Sequence, residues 1–479
     1  MKKSLVSFLL VISLCSQLAL AQVRPAVRAN RSATAASPRQ DLDLPIVTRT
    51  LSNGLEVIVM PDSSVPLATV ELAVRNGSFT EPPELNGLSH LYEHMFFKPT
   101  GRGGEHLVDL DKLGIVYNGS TREEIVNYYY TTTSPYVATV MRVINDAVRF
   151  PRFDEDEFRR EKQVVIGELD RSEANPFSYL SQAMTDKLFY KYPTRKKPSG
   201  TRQTVSAATT DQMRLIQSRY YFPNNAALIV TGDVKPEEIF RLAEQNLGNW
   251  KRRLVDPFRE FPLVEHPPLA KSEGSIIEKD AGDSAGDGEQ NVFIQLGWHG
   301  PSIGKDDKAT YAADVFSYIL QQPDSRFQRM LVDSGLASGA SINYYTQRNV
   351  GPITLFLITT PVKAKLAVKA AYNEVAQFAD PKYFTDVELE NSKTILQSSD
   401  LFEREKSSEY AHTLGFWWSS TGIEYFRGYQ RNLRAVTRAD INQYIRGYIH
   451  GKPHVGIAML SPAAKVQSGL TELDLTNGK

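Results

Sequence analysis

Between about Leu44 and Trp250, apolar residues alternate between two periods. Leu55-Glu56-Val57-Ile58-Val59 and Ala68-Thr69-Val70-Glu71-Leu72-Ala73-Val74 read as strands, and helical runs lie between such segments. Phe158 to Leu169 has apolar residues at helical spacing. Acidic residues from Asp154 to Glu157 suit the dipole of that helix at its start, and Asn175-Pro176 stops it. Lys251 to Lys271 holds Pro257, Pro262, Pro267 and Pro268 without periodicity and reads as a linker. The strand Ser275-Ile276-Ile277-Glu278 opens a second unit, spanning 272–465, with a turn at Ala281 to Gly288 before Asn291 to Leu296. A short tail, 466–479, follows.

The second unit reads as a degenerate copy of the first. Pro151-Arg152-Phe153 with Arg160-Glu161-Lys162 recurs as Pro381-Lys382-Tyr383-Phe384 with Asn391-Ser392-Lys393. An offset of 231 residues carries Glu161 to Ser392 and Glu168 to Ser399, so two carboxylates of the first copy become hydroxyls in the second. The second unit's first helix, Tyr311 to Leu320, holds no histidine.

Composition narrows the class. The chain has 479 residues, 41% hydrophobic and 23% charged, with zero formal net charge, which suits a globular protein of two or more domains. Neutrality without a basic stripe argues against nucleic acid. Lys2-Lys3, then Leu5 to Leu14, then Ala19-Leu20-Ala21 read as a secretory signal (1–21) cleaved before Gln22, with an apolar core too short for stable membrane insertion. The lone cysteine, Cys15, lies inside that signal, so no disulfide is expected after it. Residues 22–43, rich in Arg, Ala and Ser, read as a flexible arm. A short signal of this kind points to the bacterial periplasm.

The candidate chemistry sits in His90-Leu91-Tyr92-Glu93-His94. On a helix, two histidines four apart share one face, so both imidazoles reach one ion, and Glu93 falls beside it. Two neutral imidazoles, a nearby carboxylate and an open coordination position are the needs of a hydrolytic zinc site. H-x-x-E-H is one of the zinc-peptidase signatures. A third ligand is required. Glu161 and Glu168, seven apart on the helix after Asp154, share a face two turns apart, so one carboxylate can bind metal while the other holds a ligand or substrate group. A fully exposed pair is the alternative. His106, twelve residues beyond His94, lies outside any ligand spacing, which argues against a closed four-ligand structural site.

These motifs together resemble the pitrilysin/insulinase family of zinc metallopeptidases (inverzincins). The resemblance is to its half-length branch, similar to mitochondrial processing peptidase subunits and bacterial periplasmic homologues, and runs from about Leu44 to Pro462. Asn53-Gly54-Leu55 resembles the family's first hairpin, and Tyr221 to Ala226 with Thr231-Gly232-Asp233 its strand closing the first domain. The resemblance implies an α+β fold: two homologous α/β domains, each a mostly antiparallel sheet packed with helices, joined by the Pro-containing linker. The catalytic domain would be 44–250 and the inactive repeat 272–465.

It further implies one Zn2+ per chain held by His90, His94 and Glu168. Glu93 would be the general base, and Glu161 the family's second glutamate near the metal, grouped with Glu93 as catalytic. Tyr117 to Thr121, through Tyr128, resembles the edge strand against which a substrate peptide lies, and Asn118 is carried over as substrate-binding. Glu124 and Val126 depart from the usual Asp and Thr there. A second departure concerns an Arg/Tyr pair, seven apart, that family members place in the last domain: Leu331 and Ser338 stand in its place. Tyr344 and Tyr345 are candidates to replace the tyrosine. Zinc residues without that pair look like the catalytic half of a heterodimer with a related half-length subunit, a homodimer being the other option. The expected activity is zinc-dependent endopeptidase action on peptides or unfolded polypeptides in a dimeric chamber. The alternative is a non-catalytic, complex-building or chaperone-like subunit of the same fold.

Overall fold

The computed structural model describes residues 44–100, 110–280 and 290–478. The expected signal (1–21) with Cys15, the arm 22–43, His106 and the turn Ala281 to Gly288 lie outside the described residues.

The first half forms a six-stranded sheet in the order β1-β2-β6-β3-β5-β4. Its strands are β1 Val47–Thr50, β2 Glu56–Pro61, β3 Leu67–Val74, β4 Val116–Thr121, β5 Val126–Thr133 and β6 Ala226–Gly232. The second half repeats the plan with five strands in the order β7-β11-β8-β10-β9. These are β7 Glu273–Glu278, β8 Val292–His299, β9 Gly339–Tyr344, β10 Pro352–Thr359 and β11 Val455–Leu460. In each sheet one pair is parallel, β2 with β6 and β7 with β11, and the other pairs are antiparallel. The two mostly antiparallel sheet-plus-helix domains expected from the sequence are therefore present, strand for strand, with β1 as the first sheet's extra edge.

Seven helices matter for the argument: α1 Leu88–Phe96, α2 Glu155–Ala174, α3 Pro176–Leu188, α4 Asp307–Gln321, α5 Asp386–Arg404, α6 Ser407–Ser420 and α7 Ile423–Ala435. The offset of 231 residues seen in the sequence carries the start of α2 to that of α5 and the start of α3 to that of α6. Asp154 caps α2 as its acidic entry predicts, its carboxylate accepting from the N–H groups of Asp156 and Glu157 at 3.0 and 3.1 Å.

One arrangement was not anticipated. The central strands are buried on both faces, so each sheet needs helices on both sides. On one face of the first sheet, Val57, Val59, Val70, Leu72, Leu228 and Val230 pack with α1 residues Leu88, Leu91 and Tyr92. Its other face, with Ile58, Ala73, Ala227 and Ile229, is covered by Tyr410, Ala411, Leu414 and Trp418 of α6, a helix from the second half. Reciprocally, Leu180, Met184 and Leu188 of α3, from the first half, cover Phe293, Val455, Ile457 and Met459 of the second sheet. The equivalent helices are exchanged. A chain cut at the linker would strip an apolar layer from both sheets.

The α6 contact is polar at its centre. His412 Nδ1 meets the fully buried Glu71 carboxylate of β3, whose other oxygen accepts from Asn127 Nδ2 at 2.9 Å. A Cβ on Gly415 would lie 2.5 Å from Glu71 Oε1, so this close approach requires glycine. The hairpin turns also interlock. Glu124 is buried and accepts from the N–H groups of Arg348 and Asn349, at 2.9 and 3.1 Å, with burial raising its pKa.

Candidate metal centre and substrate edge

The motif helix is fixed from both ends of its apolar side. Phe96 stacks on Tyr128 of β5 with ring centroids 3.6 Å apart, and Tyr92 lies against Tyr221 at 4.2 Å. Its N-terminus has no cap from its own Gly87 side. Instead the fully buried carboxylate of Glu81 accepts from the N–H groups of Gly87 and Ser89 at 2.8 and 2.6 Å. Burial still pushes Glu81 up to about 7 against those donors. Nothing in the motif spacing pointed to Glu81; an acidic residue just upstream of a helix start was the available signal.

With the apolar side of α1 buried, His90 and His94 face α2. One ligand atom each from His90, His94 and Glu168 lie within 4.8 Å of one another. Glu168 Oε2 is 3.6 Å from His90 Nε2 and 3.4 Å from His94 Nε2. Donors about 2.0–2.1 Å from one tetrahedral ion stand roughly 3.3 Å apart, so two imidazoles and a carboxylate at these spacings suit Zn2+ with one position left open. Glu93 is buried beside the cluster, with Oε2 3.9 Å from His90 Nε2. The Thr121 hydroxyl donates to that oxygen at 3.2 Å.

Glu161 takes a place the sequence left open. It does not touch Glu168 in any recorded contact; its Oε2 lies 3.1 Å from His94 Nδ1 and its Oε1 2.5 Å from Lys98 Nζ. A carboxylate on Nδ1 fixes the ring and leaves Nε2 for a metal. Lys98, just past the end of α1, was not singled out from the sequence. His90 differs from His94: its Nδ1 is buried without a hydrogen-bond partner among the described residues.

The charges follow from these surroundings. Burial pushes His90 down to about 4, with the neighbouring His94 adding to the effect. Burial also opposes a charge on His94, but the Glu161 and Glu168 carboxylates outweigh it and raise that ring to about 10. Burial raises Glu93 to about 7. Burial works against ionised Glu168 and Glu161 too, yet their histidine neighbours, and Lys98 for Glu161, hold both below the usual carboxylate value.

Among the described residues, β4 is an edge strand hydrogen-bonded to β5 alone. It runs directly over the cluster: a Cβ on Gly119 would fall 2.5 Å from Glu93 Oε1. Asn118 is exposed on this edge, and its side chain accepts from the Gly119 N–H at 2.9 Å. Asn118 is thus near the cluster without touching it in any recorded contact. The exposed Val116 and Tyr117 share this edge.

In the second half, Leu331 is fully buried and the Ser338 hydroxyl donates to Ile358 O at 3.4 Å. Within this chain the hydroxyls of Tyr344 and Tyr345 meet groups away from the metal cluster. The Tyr344 hydroxyl donates to Pro301 O at 2.9 Å, and the Tyr345 hydroxyl donates to Glu123 at 3.1 Å across the hairpin interlock.

Comparison with known proteins adds to this geometry. Residues 57–198 match the model described as insulinase (peptidase family M16), and residues 207–396 match the peptidase M16 inactive domain. Zinc protease PqqE of Helicobacter pylori is 24% identical over 408 residues, covering 83% of this chain and 89% of that protein. The crystal structure of an M16-like peptidase from Alicyclobacillus acidocaldarius superposes with a TM-score of 0.76 at 20% identity, over 88% of this chain and 99% of the other. The periplasmic protease PqqL of Escherichia coli gives 0.71 at 18% identity, over 90% of this chain but 49% of that one.

Proposed function

Because the chain belongs to the insulinase (M16) peptidase family in a half-length form, we propose that it is a zinc-dependent endopeptidase. Its substrates are peptides or unfolded polypeptides. The observation that carries this reading is the convergence of His90, His94 and Glu168 within 4.8 Å, beside buried Glu93 and beneath an open sheet edge.

Zinc bound by these three residues supplies a Lewis acid that polarises the scissile carbonyl and acidifies a water. The chain's own groups do the rest. The β4 edge offers backbone donors and acceptors to an extended peptide, and Asn118 stands on that edge. This registers one peptide carbonyl over Glu93. Glu93 takes the proton of the attacking water at its carboxylate and returns it to the leaving amine. Thr121 holds the second carboxylate oxygen in place during that exchange. Glu161 orients His94 and does not move protons.

The missing Arg/Tyr pair supports a partner subunit. With Leu331 buried and Ser338 bonded to the backbone, this chain contributes the metal half of a chamber, and a related half-length subunit contributes the other. The match to about half of PqqL fits a chamber that takes two such halves. The signal-like leader, together with the likeness to the periplasmic PqqL, supports a periplasmic site of action. No helix among the described residues is long and apolar enough to cross a membrane.

The test is zinc content and cleavage of a mixed peptide library by the chain, alone and with a related half-length subunit. One zinc per chain and cleavage that needs the partner is the expected result. Cleavage alone as a homodimer removes the heterodimer, and no zinc with no cleavage leaves the complex-building role.

A further inference from the structure

Two cations beside the cluster have no role in the chemistry above: Arg171, 3.6 Å from Glu168 Oε1, and Lys98, which contacts the carboxylate that orients His94. Lys98 follows α1 directly, and its Nζ sits 2.5 Å from Glu161 Oε1, the oxygen that Glu161 does not turn to His94. The lysine side chain is 28% exposed against 11% for Glu161, so it meets a mostly buried carboxylate from the more solvent-exposed side. We propose that Lys98 is a positioning residue of the metal centre: it clamps Glu161 so that Oε2 stays on His94 Nδ1 and His94 keeps Nε2 directed at the metal. The inference rests on the zinc reading above.

Two effects of Lys98 oppose each other. A cation near the site repels Zn2+, which would make its removal tighten binding. A glutamate side chain has three rotatable bonds, however, and without a second contact its carboxylate is free to leave the imidazole. Glu161 stands between Lys98 and the histidine, so the lysine charge is largely neutralised before it reaches the metal. Loss of the partners that orient a ligand costs about 10–100-fold in metal affinity. Orientation outweighs repulsion, and its removal weakens binding. The sign therefore decides the case. His94 depends on this chain of contacts in a way His90 does not, since His90 Nδ1 has no such partner among the described residues.

The experiment measures zinc affinity by chelator competition for the wild-type chain and for Lys98→Met, Lys98→Arg, Glu161→Ala and the Lys98→Met/Glu161→Ala double variant. The metal-free thermal midpoint of each reports folding. Lys98→Met is expected to weaken zinc about 10-fold or more, with an unchanged metal-free midpoint. Lys98→Arg is expected to restore most of that loss, and the double variant to match Glu161→Ala alone. Unchanged or tighter zinc binding by Lys98→Met overturns the proposal. So does a further loss in the Glu161→Ala background, which would show Lys98 acting elsewhere, or a rise in KM for peptides with zinc affinity intact. If Lys98→Met fails to fold, Lys98→Gln repeats the comparison with the stem retained. A wild-type chain that binds no zinc overturns the zinc reading itself, and the two failures are told apart on the first sample.

Discussion

In the first half, α1 and α2 bring two imidazoles and three carboxylates to one place. In the second half, the corresponding α4 and α5 bring different groups to the matching place. The Tyr318 side chain of α4 faces Ser399 of α5, the residue that the repeat offset aligns with Glu168. Asp314 precedes Tyr318 by one helical turn, as His90 precedes His94. Ser392, in place of Glu161, turns its hydroxyl back to Leu389 O at 2.7 Å. Asp314 is partly buried and accepts from the Tyr429 hydroxyl of α7 at 2.6 Å, with desolvation of its carboxyl pushing it up to about 7. The second copy has kept a partly buried polar centre between the same two helices and satisfied it with hydroxyls. The fold requires something polar and paired there; it does not require a metal.

The comparison breaks most sharply at Glu168. Glu168→Ala is expected to abolish both zinc binding and peptide cleavage, because two imidazoles alone leave the site one ligand short. Metal analysis of the purified variant checks this; one zinc per chain would show that the third ligand lies elsewhere. Next in size is Glu93→Gln, which keeps the three donors and removes the base. Its zinc content should stay at the wild-type level while kcat falls on the order of 10²–10⁴-fold. Substantial residual turnover would remove Glu93 from its role.

The exchanged helices give a second contrast. α6 is held on the first sheet by the His412–Glu71 pair, whereas the α3 cluster on the second sheet is built of Leu180, Met184 and Leu188 on apolar strand residues. Burial opposes a charge on His412, but Glu71 outweighs it and raises the histidine pKa above its ordinary 6.5. A raised folded-state pKa means that the native chain holds the proton more tightly. The stabilisation is thus fully present below pH 6.5 and fades as pH rises through the raised value. His412→Leu should cost about 3–5 kcal/mol at mildly acidic pH by leaving the buried Glu71 carboxylate without its cation, with Asn127 still donating to its other oxygen. The difference in Tm from wild type should shrink toward alkaline pH. A Leu180→Ala variant, losing about 2–5 kcal/mol of packing, should show no such trend. Equal pH dependence in both would mean that the ion pair does not hold α6.

Much of this was legible in the residues. The H-x-x-E-H spacing gave the shared face of α1, and the Asp154 to Glu157 run with Asn175-Pro176 gave both ends of α2, because caps and helical periods are local properties. The 231-residue offset was legible too, and it matches the starts of two helix pairs. What could not be read were contacts set by long-range packing. The periodicity of Ser407 to Ser420 shows a helix with apolar residues but not which sheet it covers, so the exchange stayed hidden. The partner of Glu161 was open for the same reason, since a face shared with Glu168 does not say which imidazole stands opposite. Lys98 and Thr121 enter only through the way β4 and α2 close around α1.

The smallest expected effect sharpens the first contrast most. Ser399→Ala alters the position equivalent to Glu168 in the other copy and removes the hydroxyl that faces Tyr318. If the second centre serves packing alone, this deletion costs at most about 0.5–1.5 kcal/mol, the net worth of one hydrogen bond. Zinc content, KM and kcat should be those of wild type, since no metal donor touches Ser399 in any recorded contact. Chemical denaturation reads the stability term, and metal analysis with peptide cleavage reads the rest. A Ser399→Ala variant that kept its stability yet lost activity would assign the second centre a part in the reaction. The two copies would then divide the chemistry between them, and the loss of carboxylates from the second would mark a change of role instead of retirement.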